Sequence, residues 1–157
     1  MARDPQETPL SPGTDPGVDP DLARATRESF ARQGLLQTLG AQILMVRRGE
    51  VWLSAPITGA VSQQDGFAHA GLGWTLGDSA AGYAALTMME PGDRVLTAEM
   101  KTNLMRPATG ERIVARGRVI RPGRSLSTVQ TDVFACRGDQ ESHVAVMLGT
   151  MARIPAD

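Results

Sequence analysis

The sequence predicts an α+β chain in which an antiparallel sheet wraps around one long, slim helix. Three observations carry this. Extended stretches in the C-terminal half are separated only by short Pro- and Gly-containing turns, which join antiparallel neighbours. A single stretch, roughly residues 68–89, has the length and apolar character of a buried helix that must lay one face on that sheet. It is built largely of small residues: Gly71, Gly73, Gly77, Ala80, Ala81, Gly82, Ala84 and Ala85. Each interior glycine costs about 1 kcal/mol relative to alanine in a helix. That cost is tolerable where the backbone has to come very close to a curved sheet.

Taken in order, residues 1–20 place prolines at 5, 9, 12, 16 and 20 among Gly, Asp and Thr, with few large apolar groups to repay the entropy of ordering. They read as a disordered tail, leaving 21–157 as a single domain. Asp19 followed by Pro20 is a helix opening, because the Asp oxygen can cap free N–H groups and proline at the first position loses nothing. A helix over about 20–33 is expected, closed by Gly34. From Leu35 the period changes, and AQILMVRRGEVWLSAPI reads as a hairpin turning at Arg48-Gly49. The long helix over 68–89 stops at Glu90-Pro91-Gly92-Asp93. Strands are then expected over 95–105, 112–121, 126–136 and 143–153, separated by Pro107…Gly110, Pro122-Gly123-Arg124 and Gly138-Asp139.

Composition narrows the function classes. With 16 Lys+Arg against 17 Asp+Glu, the 157-residue chain has no global field that would favour nucleic acid or an anionic membrane. Cys136 is the only cysteine, which excludes an intramolecular disulfide and a cysteine-based zinc site. There is no secretory-type opening segment and no apolar run of the roughly 18 to 20 residues that span a bilayer. A soluble, cytoplasmic protein without metal or cofactor, and with neither nucleic acid nor membrane as partner, is expected.

Against that background one residue stands out. Asp78 sits in the middle of the small-residue helix, on nearly the same face as Trp74 and Gly71, one and two turns before it. A buried carboxylate is hydrogen-bonded, exposed at a cleft, or present for chemistry; facing solvent or capping a local backbone group is the plain alternative. Upstream, QQDGFAHAG (63–71) is a polar loop delivering the helix N-terminus. Free N–H groups there, with the positive end of the helix dipole, would attract a carbonyl oxygen gaining negative charge, so that a base and an oxyanion site would share one helix. Gln63 could donate to a carbonyl or a water, and Thr97 could orient a water beside the carboxylate. An ordinary loop amide and an ordinary strand threonine are the alternatives. His69 is either a structural anchor of the loop or a proton carrier.

These residues resemble the PaaI-like branch of the hotdog-fold acyl-CoA thioesterases. The pattern is Gln-x-x-Gly-x-x-His-(Gly/Ala)-Gly with an Asp nine residues beyond the His, here QQDGFAHAGLGWTLGD from Gln63 to Asp78. Downstream, LTAEMKTNLMRPATGE (96–111) is similar to the family strand ending in Pro-Ala-x-Gly, and VIRPGRSLS (119–127) to its Gly-(Arg/Lys) turn. The resemblance covers about residues 25–154.

It implies a hotdog fold and a homodimer, or a dimer of dimers, with sheets joined edge to edge and two active sites at the interface. Asp78 would act as general base or nucleophile. The N–H at Ala70, next to Gly71, would serve the oxyanion, and Gln63 would come from the opposite subunit. Arg106, Arg121, Arg124 and Ser125 are candidates to hold the phosphates of coenzyme A, which enters as part of the acyl-CoA substrate; ordinary solvated residues at strand ends are the alternative. Ala70 replaces the first Gly of the usual His-Gly-Gly and keeps its N–H; Gln63 stands where Asn is common. Thioester hydrolysis suits a single carboxylate, since a thiolate leaving group barely needs protonation. A non-catalytic acyl-CoA-binding module on the same fold is the alternative, and a hydratase or dehydratase, whose motifs are missing, a third.

Overall fold

The computed structural model describes residues 19–156. Residues 1–18, most of the expected tail, lie outside the described residues. Helix α1 (Pro20–Phe30) opens as the sequence dictates, with the Asp19 carboxylate accepting from the Asp21 N–H at 2.9 Å and proline in its first turn. Its end differs from expectation. Gly34 does not close it: the chain starts a second short helix, α2 (Gly34–Thr38), and the glycine in the left-handed region is Gly40, at φ 64°. The Gly40 and Ala41 N–H groups then turn back onto the carbonyls of Gln37 and Leu36, at 2.9 and 2.8 Å. The extra turn seats Leu36, 1% exposed, in the main core. The apolar spacing around Leu35 and Leu36 was thus helical where the sequence suggested a change of period.

The strands follow the expected order with shifts of up to three residues at their ends. They are β1 (Gln42–Arg47), β2 (Glu50–Pro56), β3 (Arg94–Leu104), β4 (Arg112–Arg121), β5 (Leu126–Arg137) and β6 (Gln140–Ile154). All pairings are antiparallel, in the order β1-β2-β4-β5-β6-β3, so β3 is an edge strand. The long helix α3 (Ala70–Leu86) lies across β2 to β6. This is the hotdog architecture: one slim helix wrapped by a six-stranded antiparallel sheet.

The small-residue face of α3 is what allows the wrap. At Gly117 on β4 a Cβ would fall 2.4 Å from the backbone carbon of Ala80, so any side chain there would push the helix off the sheet. One turn earlier the Thr131 hydroxyl donates to the Gly77 carbonyl at 2.9 Å, tying the helix to β5 directly before Asp78. Around this seat Val51, Leu53, Leu76, Ala84, Ile113, Val133 and Met147 form the core.

The edge strand carries a bulge that sets which side chains meet the helix. Thr97 pairs with Met151 but Glu99 with Thr150, leaving Ala98 without a partner. Strict alternation from Val95 and Thr97 would have turned Glu99 and Lys101 inward. The bulge turns Met100, Thr102 and Leu104 inward instead, opposite Gly149, Met147 and Ala145.

Gly117→Ala should cost more than about 2 kcal/mol in urea unfolding, because its new methyl group meets backbone. Gly77→Ala, whose methyl group would meet the movable Met147 side chain, should cost less. Equal losses would mean that the helix seat is not the constraint.

Candidate active site

The entrance to α3 is stitched before any substrate arrives. In the loop that precedes it, the Gln63 N–H donates to the Phe67 carbonyl at 2.8 Å, and the His69 N–H to the Val61 carbonyl at 2.8 Å. His69 is the N-cap of α3: its Nδ1 accepts from the Gly71 N–H at 2.9 Å, which places any proton of the neutral ring on Nε2. The Leu72 N–H turns to the His69 carbonyl at 3.0 Å. Gly71 and Leu72 are therefore committed, and the Ala70 N–H is left without a hydrogen bond among the described residues, at the positive end of the helix. Of these neighbouring residues, the one with a free amide is Ala70, the residue whose N–H the resemblance assigns to the oxyanion.

Beside this entrance lies a cavity of about 420 Å³. Gln63, His69, Ala70 and Arg106 all line it, together with apolar side chains that include Phe67, Trp74, Leu104 and Val133. The Gln63 side chain folds back on its own loop, its Oε1 accepting from the Asp65 N–H. Arg106 is exposed at the wall formed by the segment after β3.

Asp78 is not among the residues that line this cavity. It stands half-buried on α3, where its Oδ1 accepts from the Thr97 hydroxyl at 2.7 Å. Burial pushes its carboxyl above the ordinary range, and the Thr97 hydrogen bond opposes that by favouring the ionised form. The sequence reading placed Thr97 only on the following strand; its hydroxyl bond to Asp78 shows that it faces the helix.

The predicted residues thus fall into two groups at opposite ends of the sheet. Eight residues of helix separate Ala70 from Asp78, about 12 Å of axial rise. Thr97 pairs with Met151, which pairs with Ser127, and the Arg153 N–H donates to the Ser125 carbonyl at 2.9 Å. The turn holding Arg121, Arg124 and Ser125 therefore shares the end of the sheet with Asp78. Ile113, in the cavity wall, is eight residues from Arg121 on the same strand, about 26 Å away. Gln63, His69, Ala70 and Arg106 form one group; Asp78 and Thr97, with Arg121, Arg124 and Ser125, form the other.

His143 and Cys136 lie elsewhere. His143 stacks on Phe134 with ring centroids 4.7 Å apart, on the sheet face turned away from α3, where Arg116 also rests on Trp52 and Phe134. Cys136 is buried on that face, and burial pushes its thiol up, which makes it a poor nucleophile. Among the described residues no helix is long and apolar enough to cross a membrane. Phe67, Trp74 and Thr102, which the sequence reading passed over, also line the cavity. The signal for the first two was their place on either side of the His69 cap. For Thr102 there was none, because the bulge reverses its side.

Comparison with known proteins gives the family. The family model described as the thioesterase superfamily matches residues 65–141. A thioesterase family protein from Silicibacter pomeroyi is 43% identical, with a TM-score of 0.82 over 85% of this chain and 98% of that one. A 1,4-dihydroxy-2-naphthoyl-CoA hydrolase from Listeria monocytogenes is 28% identical over 66% of this chain and 89% of its own length. The PaaI protein of the E. coli phenylacetic acid degradation operon, at 17% identity, shares the fold with a TM-score of 0.76 over 86% of this chain and 94% of that one. With a free amide at the helix entrance, a half-buried carboxylate on the same helix and these relatives, the chain belongs to the thioesterase superfamily, as a thioester hydrolase with the hotdog fold.

Proposed function

We propose that the protein hydrolyses acyl-CoA thioesters with Asp78 as general base. The observation that carries this is the half-buried carboxylate held by the Thr97 hydroxyl on a helix of small residues. In this reading Asp78 takes a proton from water as the water oxygen bonds to the thioester carbon. The carbonyl oxygen gains the electron pair and is met by the Ala70 N–H; collapse then expels the coenzyme A thiolate and leaves the carboxylic acid. A nucleophilic Asp78, bonding to the acyl carbon before water releases it, uses the same residues. The Listeria relative acts, by its name, on 1,4-dihydroxy-2-naphthoyl-CoA; an acyl-CoA is the substrate class proposed here.

The 12 Å between Ala70 and Asp78 supports a site shared by two copies, since one carbonyl group cannot meet both in one chain. The edge strand β3 favours the partner's β3 as the join: Leu96 and Leu104 on it are 61% and 64% exposed. A two-fold, antiparallel join brings the cavity end of one copy to the Asp78 end of the other. Gln63, Ala70 and Arg106 of one protomer would then face the partner's Asp78, with Arg121, Arg124 and Ser125 of that partner near the coenzyme A phosphates. The family resemblance gave only Gln63 to the opposite subunit; the length of α3 favours giving it Ala70 as well. We read 21–157 as the single catalytic unit and the homodimer, alone or paired into a dimer of dimers, as its working form.

Asp78→Asn should lower kcat by about 10² to 10⁴ in a thiol-release assay over acyl-CoAs, and unchanged turnover would refute the mechanism. The raised carboxyl also fixes a sign for stability. The folded state disfavours ionisation, so the cost is absent below the unfolded value of about 4 and fully present above the folded one. Asp78→Asn should therefore not lower the melting temperature at pH 8, although it lowers activity.

Because the base must be ionised, the acid limb of kcat/KM should lie above the ordinary carboxylate range. Thr97→Val removes the bond that favours the ionised form and should move that limb to higher pH; a pH–rate profile checks this.

Inactive Asp78→Asn and Ala70→Pro chains, the second lacking the amide hydrogen, should complement one another. Random exchange into dimers restores one intact site in half of them, roughly a quarter of wild-type activity. No recovery from dimers shown by mass to have exchanged would place both groups in one chain.

A further inference from the structure

A threonine interrupts a run of valines on the strand beneath the base. Along the helix-facing side of β5 stand Val129, Thr131 and Val133, all 0% exposed. Valine would fill the place of Thr131 with the same branching and an equal preference for a strand. What valine lacks is the hydroxyl, and that hydroxyl donates to the Gly77 carbonyl at 2.9 Å. Its acceptor is a mid-helix carbonyl, which the N–H four residues on also uses. A carbonyl oxygen has two lone pairs, so the second donor adds a tether without breaking the helix.

The tethered group is the one that carries the base. The Gly77 carbonyl and the Asp78 N–H belong to one planar peptide, so fixing the oxygen fixes the plane from which the Asp78 side chain rises. Gly77 needs such a restraint, because a residue without Cβ has the widest backbone freedom. It is glycine because a Cβ there would fall 2.1 Å from the Met147 sulfur. Thr131 stands between Gly117 and Met147 across the sheet, so one row of three residues seats this turn of α3.

The carboxylate cannot correct an error in its own height. Its side chain is short, and among the described residues it has one hydrogen bond, from Thr97. The Thr97 hydroxyl has a single proton and a second acceptor in reach, the Met151 sulfur at 3.5 Å. A displaced carboxylate would lose its bond to that sulfur. Resting on the reading of Asp78 as general base, we propose that Thr131 is a positioning residue for the reaction, whose hydroxyl holds the Gly77 carbonyl and so sets where the carboxylate stands. A misplacement of about 1 Å can cost as much as 10²-fold in rate.

The test is thiol release from acyl-CoAs by the wild type, Thr131→Val, Thr131→Ser and Val129→Ala, with Asp78→Asn alongside. Thr131→Val should lower kcat about tenfold with KM within about twofold, and Thr131→Ser, which keeps the hydroxyl, should restore it. Val129→Ala loosens the same strand but removes no hydrogen-bonding group, so its kcat should stay within about twofold of the wild type. A 13C NMR titration of the Asp78 carboxyl gives a readout independent of turnover. It should move to higher pH in Thr131→Val, since the Thr97 bond favours the ionised form, and return in Thr131→Ser.

With Asp78→Asn slow, an unchanged kcat in Thr131→Val, an equal fall in Val129→Ala, or no recovery in Thr131→Ser overturns the assignment and leaves the hydrolytic reading in place. Asp78→Asn as fast as the wild type, with the titration still moving in Thr131→Val and returning in Thr131→Ser, removes the hydrolytic reading and upholds the placement of the carboxylate by Thr131. Asp78→Asn as fast as the wild type with no movement of the titration overturns both.

Discussion

The contact on which the rest depends is the seat of α3 against the sheet. Gly117 on β4 lets the Ala80 backbone come closer than any Cβ would permit, and the Thr131 hydroxyl holds the Gly77 carbonyl one turn away. A helix this slim has little side-chain area of its own to bury, so its stability comes from the sheet closing around it and not from helix propensity. The glycines that weaken it as an isolated helix are what bring its backbone into the core.

That seat also sets the chemistry. Asp78 follows the tethered Gly77 directly and is fixed in height and rotation over the sheet. At that depth it loses solvent and finds one compensating hydroxyl, Thr97, on an edge strand. Desolvation makes the carboxylate a stronger base, and a single hydrogen bond leaves lone pairs free for a water. The N-terminal end of the same helix is prepared differently. The His69 cap commits the Gly71 amide and leaves Ala70 as the donor facing the cavity. Carboxylate and amide thus sit two turns apart on one rod, which is why the proposed mechanism draws each site from two copies.

Much of this was legible in the sequence because it is local. Asp19-Pro20 marks a cap, Gly and Pro mark every strand boundary, and small residues spaced through 71–85 mark a helix pressed to a sheet. The loop and the carboxylate were found from their spacing. Where the reading failed, a distant contact had decided. Gly34 looks like a helix end until Leu36 is seen to need one more turn to reach the core, with Gly40 as the real stop.

The sequence by itself determined the element types and their order, the slimness of α3, and which residues could carry hydrolysis, since these follow from backbone preferences and side-chain chemistry within a few positions. Only the tertiary structure decided which of them meet. The bulge at Ala98 follows Thr97, which meets Asp78, and reverses the rest of β3, putting Thr102 in the cavity wall; the length of α3 separates the carboxylate from the amide. The reason is physical: a bulge changes the facing of every later side chain in its strand, and its position depends on the partner strand and the helix beneath, which no local pattern encodes.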